Sequence, residues 1–166
     1  MSTFELKALT QEGIPAALEK AERYRLLNEP AEAESICLDI LHIAPENQDA
    51  IIMLLLAVTD RFAKGYGVSE TRAKELLGRI TGEYDREYYG GILAERRGKS
   101  KLAQGGHASR YAYDCLREAM ERYERAEAIR PAGNDDSVLR WNTCARIISQ
   151  NKLTAREEEQ YEPVLE

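Results

Sequence analysis

Three thiols and two imidazoles are the side chains here that could carry covalent or metal chemistry. They are Cys37, Cys115 and Cys144, with His42 and His107. A cysteine nucleophile needs a general base within hydrogen-bond reach. Neither histidine is placed to supply one. Each cysteine recurs with apolar residues at helical spacing, where a thiol packs as a small hydrophobe. His42 falls at a predicted helix end, where a cation complements the helix dipole. The cysteines are odd in number, far apart and without a Cys-x-x-Cys pair, which disfavours zinc and a disulfide framework and fits a reducing, cytoplasmic setting. Asn134-Asp135-Asp136-Ser137 lacks the ligand order and distal glutamate of a calcium loop, and reads as a helix cap. Gly105-Gly106-His107-Ala108-Ser109 lacks the Gly-Lys-[Ser/Thr] of a phosphate loop. The residues therefore predict no catalytic site, no metal and no cofactor.

Two further groups could bind rather than react. Tyr88-Tyr89-Gly90-Gly91 offers either a stacking platform or helix–helix packing. Arg96-Arg97-x-Lys99-x-Lys101, followed by Arg110 and Arg117, is a basic concentration in a chain of net charge −6. It reads either as a solvated face paired with local glutamates such as Glu95, or as a patch that accepts an anion. A sequence pI near 5.2 argues against nucleic acid as the partner, because phosphate binding needs a basic face. No apolar run approaches the roughly 18 residues of a membrane span. The longest, Ile51 to Val58, has eight. The first residues, Met1-Ser2-Thr3-Phe4-Glu5-Leu6-Lys7, do not read as a signal peptide.

The elements that must position these groups are helices. The chain has 166 residues, the size of one domain. Only four valines and seven threonines stand against many alanine, leucine, glutamate and arginine residues, a helix-forming balance. Ile14, Ala17, Leu18, Ala21, Tyr24 and Leu27 mark a first helix that stops near Asn28. Pro30 opens a second, with Ala33, Ile36, Cys37, Ile40 and Leu41 on its apolar stripe and Pro45 beyond its end. A third, central helix runs from about Gln48 to Lys64, broken by Gly65-Tyr66-Gly67. Ser69 caps a fourth carrying Ala73, Leu76, Leu77 and Ile80. A fifth spans about Tyr84 to Leu102, weakened by Gly90, Gly91 and Gly98. The sixth follows the Gly105-Gly106 break and reaches Ile129. The seventh covers about Asp136 to Gln150. Residues 1–152 make the predicted domain, and 153–166, with Glu157-Glu158-Glu159, an acidic tail.

Three helices share a spacing: Ala33-x3-Cys37-x2-Ile40-x4-Pro45, Ala73-x3-Leu77-x2-Ile80-x4-Asp85, and Ala119-x3-Tyr123-x2-Ala126-x4-Pro131. A small residue permits close approach, two larger ones share its face, and a terminator follows. Such units bury their faces by stacking. With Ala21-x2-Tyr24 nine residues before Ala33, and Tyr123 to Pro131 much like a second repeat helix, the chain resembles the tetratricopeptide repeat family over about residues 12–150. It departs from that family in several ways. Ala17 and Lys20 replace the usual tryptophan and leucine. The repeats run 40 residues from Ala33 to Ala73 and 46 from Ala73 to Ala119, against the family's 34. The third unit's first helix matches poorly.

The resemblance implies an all-α, right-handed stack of antiparallel helix pairs, a tetratricopeptide-like α-solenoid of about seven helices. First helices would line a concave peptide groove. On that frame the groove receives Leu18, Glu22 and Arg25, then Ile52, Leu56 and Thr59, then Tyr89, Arg96 and Lys99, and finally Asn142 and Arg146. The binding residues it singles out are Arg25, Leu56, Tyr89, Arg96, Lys99, Asn142 and Arg146. Successive first helices lack the asparagines of the family's carboxylate-clamp variant, which disfavours a chaperone's C-terminal tail as ligand. The implied function is a non-catalytic interaction module for an acidic peptide or a partner helix, acting as scaffold or adaptor. The alternatives are a small cytoplasmic chaperone for secretion substrates, and a ligand-binding or enzymatic protein on a helical scaffold. Trp141 and the eight-residue apolar stretch, if exposed at an end of the stack, would give a homo-oligomer.

Overall fold

The computed structural model describes residues 4–62 and 70–156. Its regular elements are all helical: α1 (Ile14–Leu26), α2 (Pro30–Ile43), α3 (Gln48–Asp60), α4 (Glu70–Gly78), α5 (Glu83–Gln104), a single turn α6 (Gly106–Ser109), α7 (Ala112–Ala128) and α8 (Asp136–Gln150). A short 3-10 turn, Gln11–Gly13, precedes α1, and the Thr10 side chain accepts from the Gly13 N–H at 3.2 Å. The predicted Lys64 end of α3, the Gly65-Tyr66-Gly67 break, the Ser69 cap and Glu157-Glu158-Glu159 lie outside the described residues.

Local chemistry sets the boundaries. Asn28 takes a left-handed backbone (φ 61°) and ends α1; asparagine tolerates that region better than most residues. Pro30 opens α2 at a position where its missing N–H costs nothing. Asn47 caps α3, its Oδ1 accepting from the Ala50 N–H at 2.9 Å. Replacing it with alanine is expected to lower stability by about 1 kcal/mol, read as a shifted urea midpoint with an unchanged slope. The Asn134 side chain likewise accepts from the Asp136 N–H at 3.0 Å at the head of α8.

Two boundaries differ from expectation. The predicted sixth helix divides into α6 and α7, separated at Arg110 and Tyr111. Asp85 is no terminator: α4 ends at Gly78, and Asp85 sits in the first turn of α5. There a carboxylate favours the helix dipole.

Each long helix packs on the next, α5 and α7 most extensively, and α1 also touches α3, which touches α5. Contacts fix the directions. Gly91 faces Tyr123 while Gly98 faces Leu116, so α5 and α7 are antiparallel. The co-spaced residues form the core: Ala33, Ala73, Ala119, Cys37, Tyr123, Ile40, Ile80 and Ala126 are all wholly buried, while Leu77 is part-buried and packs against the same cluster. Helix α3 is central, with Ile51, Leu54, Leu55, Ala57 and Val58 buried. Its apolar stretch is therefore core, not an exposed end. Trp141 is only part-exposed and donates from its indole N–H to Glu124 at 3.0 Å. One apolar cluster joins α1 to α5, a second joins α5, α7 and α8, and Tyr89 packs against both.

Candidate functional site

Helices α1, α3, α5 and α8 carry the seven binding residues singled out by the sequence. Two buried or half-buried carboxylates organise most of them. Asp60 is the last residue of α3. Arg25 of α1 grips it with both arms of its guanidinium, Nε to Oδ2 at 2.7 Å and Nη2 to Oδ1 at 3.2 Å. Arg96 of α5 meets the same carboxylate, Nη1 to Oδ1 at 2.8 Å. It also donates to the Leu56 carbonyl at 2.9 Å and to the Thr59 hydroxyl at 2.7 Å. Three helices thus meet at one anion. Bidentate guanidinium–carboxylate geometry makes such a junction specific as well as strong. Burial pulls the Arg96 pKa down, and Asp60 opposes that pull.

The second carboxylate, Glu95, is 1% exposed. It accepts from Lys99 Nζ at 2.9 Å, from the Tyr123 hydroxyl at 3.2 Å, from Cys144 Sγ at 3.5 Å and from both Nε and Nη2 of Arg140. Burial alone would raise its pKa. The hydrogen bonds and charges of Arg140 and Lys99 outweigh burial and hold it below the ordinary carboxylate value. Glu95 is thus a charged core residue that three helices share.

The structure brings Arg25, Leu56 and Arg96 into one contact set and places Lys99 in the adjoining Glu95 cluster. Tyr89 stands edge-on to Tyr88 (5.0 Å, 81°), which stacks on Tyr84 at 5.9 Å. Burial pushes Tyr88 up to about 12 and raises Tyr89, so both rings stay neutral. Asn142 is half-buried and Arg146 exposed on α8, and neither makes a polar contact with the others among the described residues. The remaining cations of the basic run also have partners. Arg97 pairs with Glu70 at 3.1 Å and Glu118 at 3.5 Å, and Lys101 lies 5.7 Å from the Tyr111 ring centre.

Sequence reasoning missed Asp60 and Arg140 as parts of this site, and named Glu95 as a partner of the basic run but placed it on a solvated face, whereas it is buried. Helical spacing offered a signal for Glu95: it is four residues after Gly91 and three before Gly98, on the stripe that faces α7. The thiols are ill suited to nucleophilic work, because the thiolate is the reactive form. Burial pushes Cys37 and Cys144 up to about 12 and raises Cys115. Among the described residues, no group of three or more histidine, cysteine, aspartate or glutamate side chains is placed to hold a metal ion, and no helix is long and apolar enough to cross a membrane.

Comparison with protein-family models, with curated proteins and with solved structures finds no match to this chain.

Proposed function

We propose that the chain is a non-catalytic, cytoplasmic protein–protein interaction module. In this reading its helix pairs stack as a tetratricopeptide-like solenoid, and α1, α3, α5 and α8 present one face to a peptide or partner helix. One observation carries the reading. Polar links between alternate helices, or the turns that follow them, recur at nearly one repeat length. Arg25 reaches Asp60 across 35 positions, Arg72 reaches Glu34 across 38, and Arg79 reaches the Pro45 carbonyl across 34. Arg96 reaches the Leu56 carbonyl across 40, and Ser100 the Phe62 carbonyl across 38. Stacked repeats place equivalent helices side by side and so generate contacts at the repeat period.

Charge indicates the partner. Arg25, Arg96, Lys99 and Arg140 face only Asp60 and Glu95 in these clusters. Arg146 adds exposed positive charge. An acidic segment with apolar side chains complements that surplus, and charge complementarity of this kind mainly sets specificity and on-rate.

The test must avoid the clusters. Arg96→Glu with Lys99→Glu would set new carboxylates against Asp60 and Glu95, and would measure folding. Arg146 and Asn142 lie outside both clusters. A displayed random peptide library, panned on the immobilised full chain, is expected to enrich acidic sequences with apolar anchors. Their affinity for an Arg146→Glu, Asn142→Ala variant is expected to fall about tenfold, as for loss of one good charge contact. No enrichment, or unchanged binding to that variant, would overturn the reading.

A further inference from the structure

Away from that face, α4, α5 and α7 line a half-open cavity of about 300 Å³. Lys74 comes from α4, Arg86 and Arg97 from α5, and Arg122 from α7. Among the described residues Glu118 is the single carboxylate in the lining. Leu77 and Leu93 supply apolar wall. Arg86, Gly90, Leu93 and Arg97 follow helical spacing, so one face of α5 makes much of the site.

Gly90 explains how Arg122 reaches it. A Cβ at Gly90 would stand 2.4 Å from Arg122 Nη1 and 2.8 Å from its Cδ. The bare backbone leaves the channel in which that side chain crosses α5. Glu87 holds Arg122 Nη1 from outside at 3.6 Å, while Glu70 and Glu118 hold Arg97. Those pairs orient the guanidiniums without using all five donors of each. The buried Arg97 Nε lies 3.1 Å from Glu70 yet has no hydrogen-bond partner. Arg86 points Nε and Nη2 at one carbonyl, that of Ile80, at 3.0 and 2.8 Å. Among the described residues Arg86 has no carboxylate partner and Lys74 has no polar partner at all. Both are exposed at the rim.

We propose that this cavity binds a small, multiply charged oxyanion of the phosphate class, either inorganic phosphate or a small phosphomonoester. A single carboxylate would engage one guanidinium fork. A tetrahedral anion of charge near −2 can meet donors converging from three helices. The volume lies at the low end of ligand pockets, about 300–1,000 Å³, which suits a phosphate head with at most a small organic body against Leu77 and Leu93. This site is independent of the peptide-binding face.

The test is calorimetric titration of the full chain with inorganic phosphate and, separately, glycerol phosphate, at constant ionic strength. Saturable binding that weakens about tenfold in Lys74→Gln, the loss of one charge-assisted contact, supports the site. Lys74 makes no polar contact among the described residues, so this variant is expected to keep the parent's melting midpoint. Adding Arg86→Gln is expected to weaken binding further. Tighter binding of glycerol phosphate would place its organic body on the leucines, whereas equal binding would assign the site to the head alone. No saturable binding of either anion, or unchanged affinity in Lys74→Gln, would overturn the proposal. Peptide binding at the other face is expected to be the same in these variants, so the two readings fail separately.

Discussion

Glu95→Ala is expected to destabilise the chain by about 3 kcal/mol, at the low end of what breaking a buried ion pair costs. The carboxylate is 1% exposed and serves five donor groups on four residues. Its removal leaves the Tyr123 hydroxyl inside the core with Arg140 as its remaining partner in that cluster. Arg140 and Lys99 are 32% and 41% exposed, so water can rehydrate them in part, and this keeps the cost from the upper end of the range. Glu95→Gln should not rescue the loss, because its amide N–H2 would point donors at donors. Glu95→Met combined with Arg140→Met should recover much of it, since a buried ion pair can be replaced by apolar groups of similar volume at little cost. Urea unfolding of the three variants checks this. Parent-like stability in Glu95→Ala would mean that the carboxylate is not held as described.

Acid stability follows from the same residue. The folded-state pKa of Glu95 is lowered relative to an unperturbed carboxylate. Its stabilising contribution is therefore fully present above the unfolded value, near 4.3. It is lost as pH falls through the lower folded value, where the native state must also take up the proton. A plot of unfolding free energy against pH should flatten in that window when Glu95 is replaced by glutamine.

How much of this was legible in the sequence varies from residue to residue. Ala33, Ala73 and Ala119 were legible because a small residue at a recurrent helical position has few other uses, and all three are wholly buried. Helix α8 runs from Asp136 to Gln150 as its caps predict. Glu95 was hidden because hydrophobic periodicity scores a glutamate beside Arg96 and Arg97 as solvated. Its burial depends on Arg140, 45 positions away, and no local pattern reports that. Asp60 was hidden for the same reason: its two guanidinium partners come from helices before and after it. The cavity between α4, α5 and α7 is a tertiary product as well. Its four cations come from three helices, and the basic run that stands out in the composition contributes only Arg97 to them.

By propensity the α5 glycines are weak points in a helix, and the structure gives them the opposite part. Gly91→Ala should destabilise the chain by about 2 kcal/mol, although alanine favours a helix over glycine by about 1 kcal/mol. A Cβ there would stand 2.4 Å from Tyr123 Cε1, 2.7 Å from Cδ1 and 2.9 Å from Cζ. The obstacle is a rigid ring, not the tip of a flexible chain. Tyr123 is wholly buried, packs 5.9 Å from Tyr88, and is tied through its hydroxyl to Glu95. It cannot swing aside without opening the Glu95 cluster, so overpacking outweighs propensity. Gly98 faces Leu116 and Cys115 at 3.1 and 3.2 Å, which extends the close approach seven residues along α5. At Gly78, the end of α4, an added Cβ would meet nothing within 4 Å. There the same substitution should stabilise by about 0.5–1 kcal/mol. For a domain of this size the two changes should move the melting midpoint in opposite directions, down by roughly 4–8 °C at Gly91 and up by about 1–4 °C at Gly78. A rise at both positions would mean that propensity alone governs α5 and that α7 does not approach it this closely. A fall at Gly91 alone ties the stability of the chain to the α5–α7 contact, and through Tyr123 to the charge buried beside it.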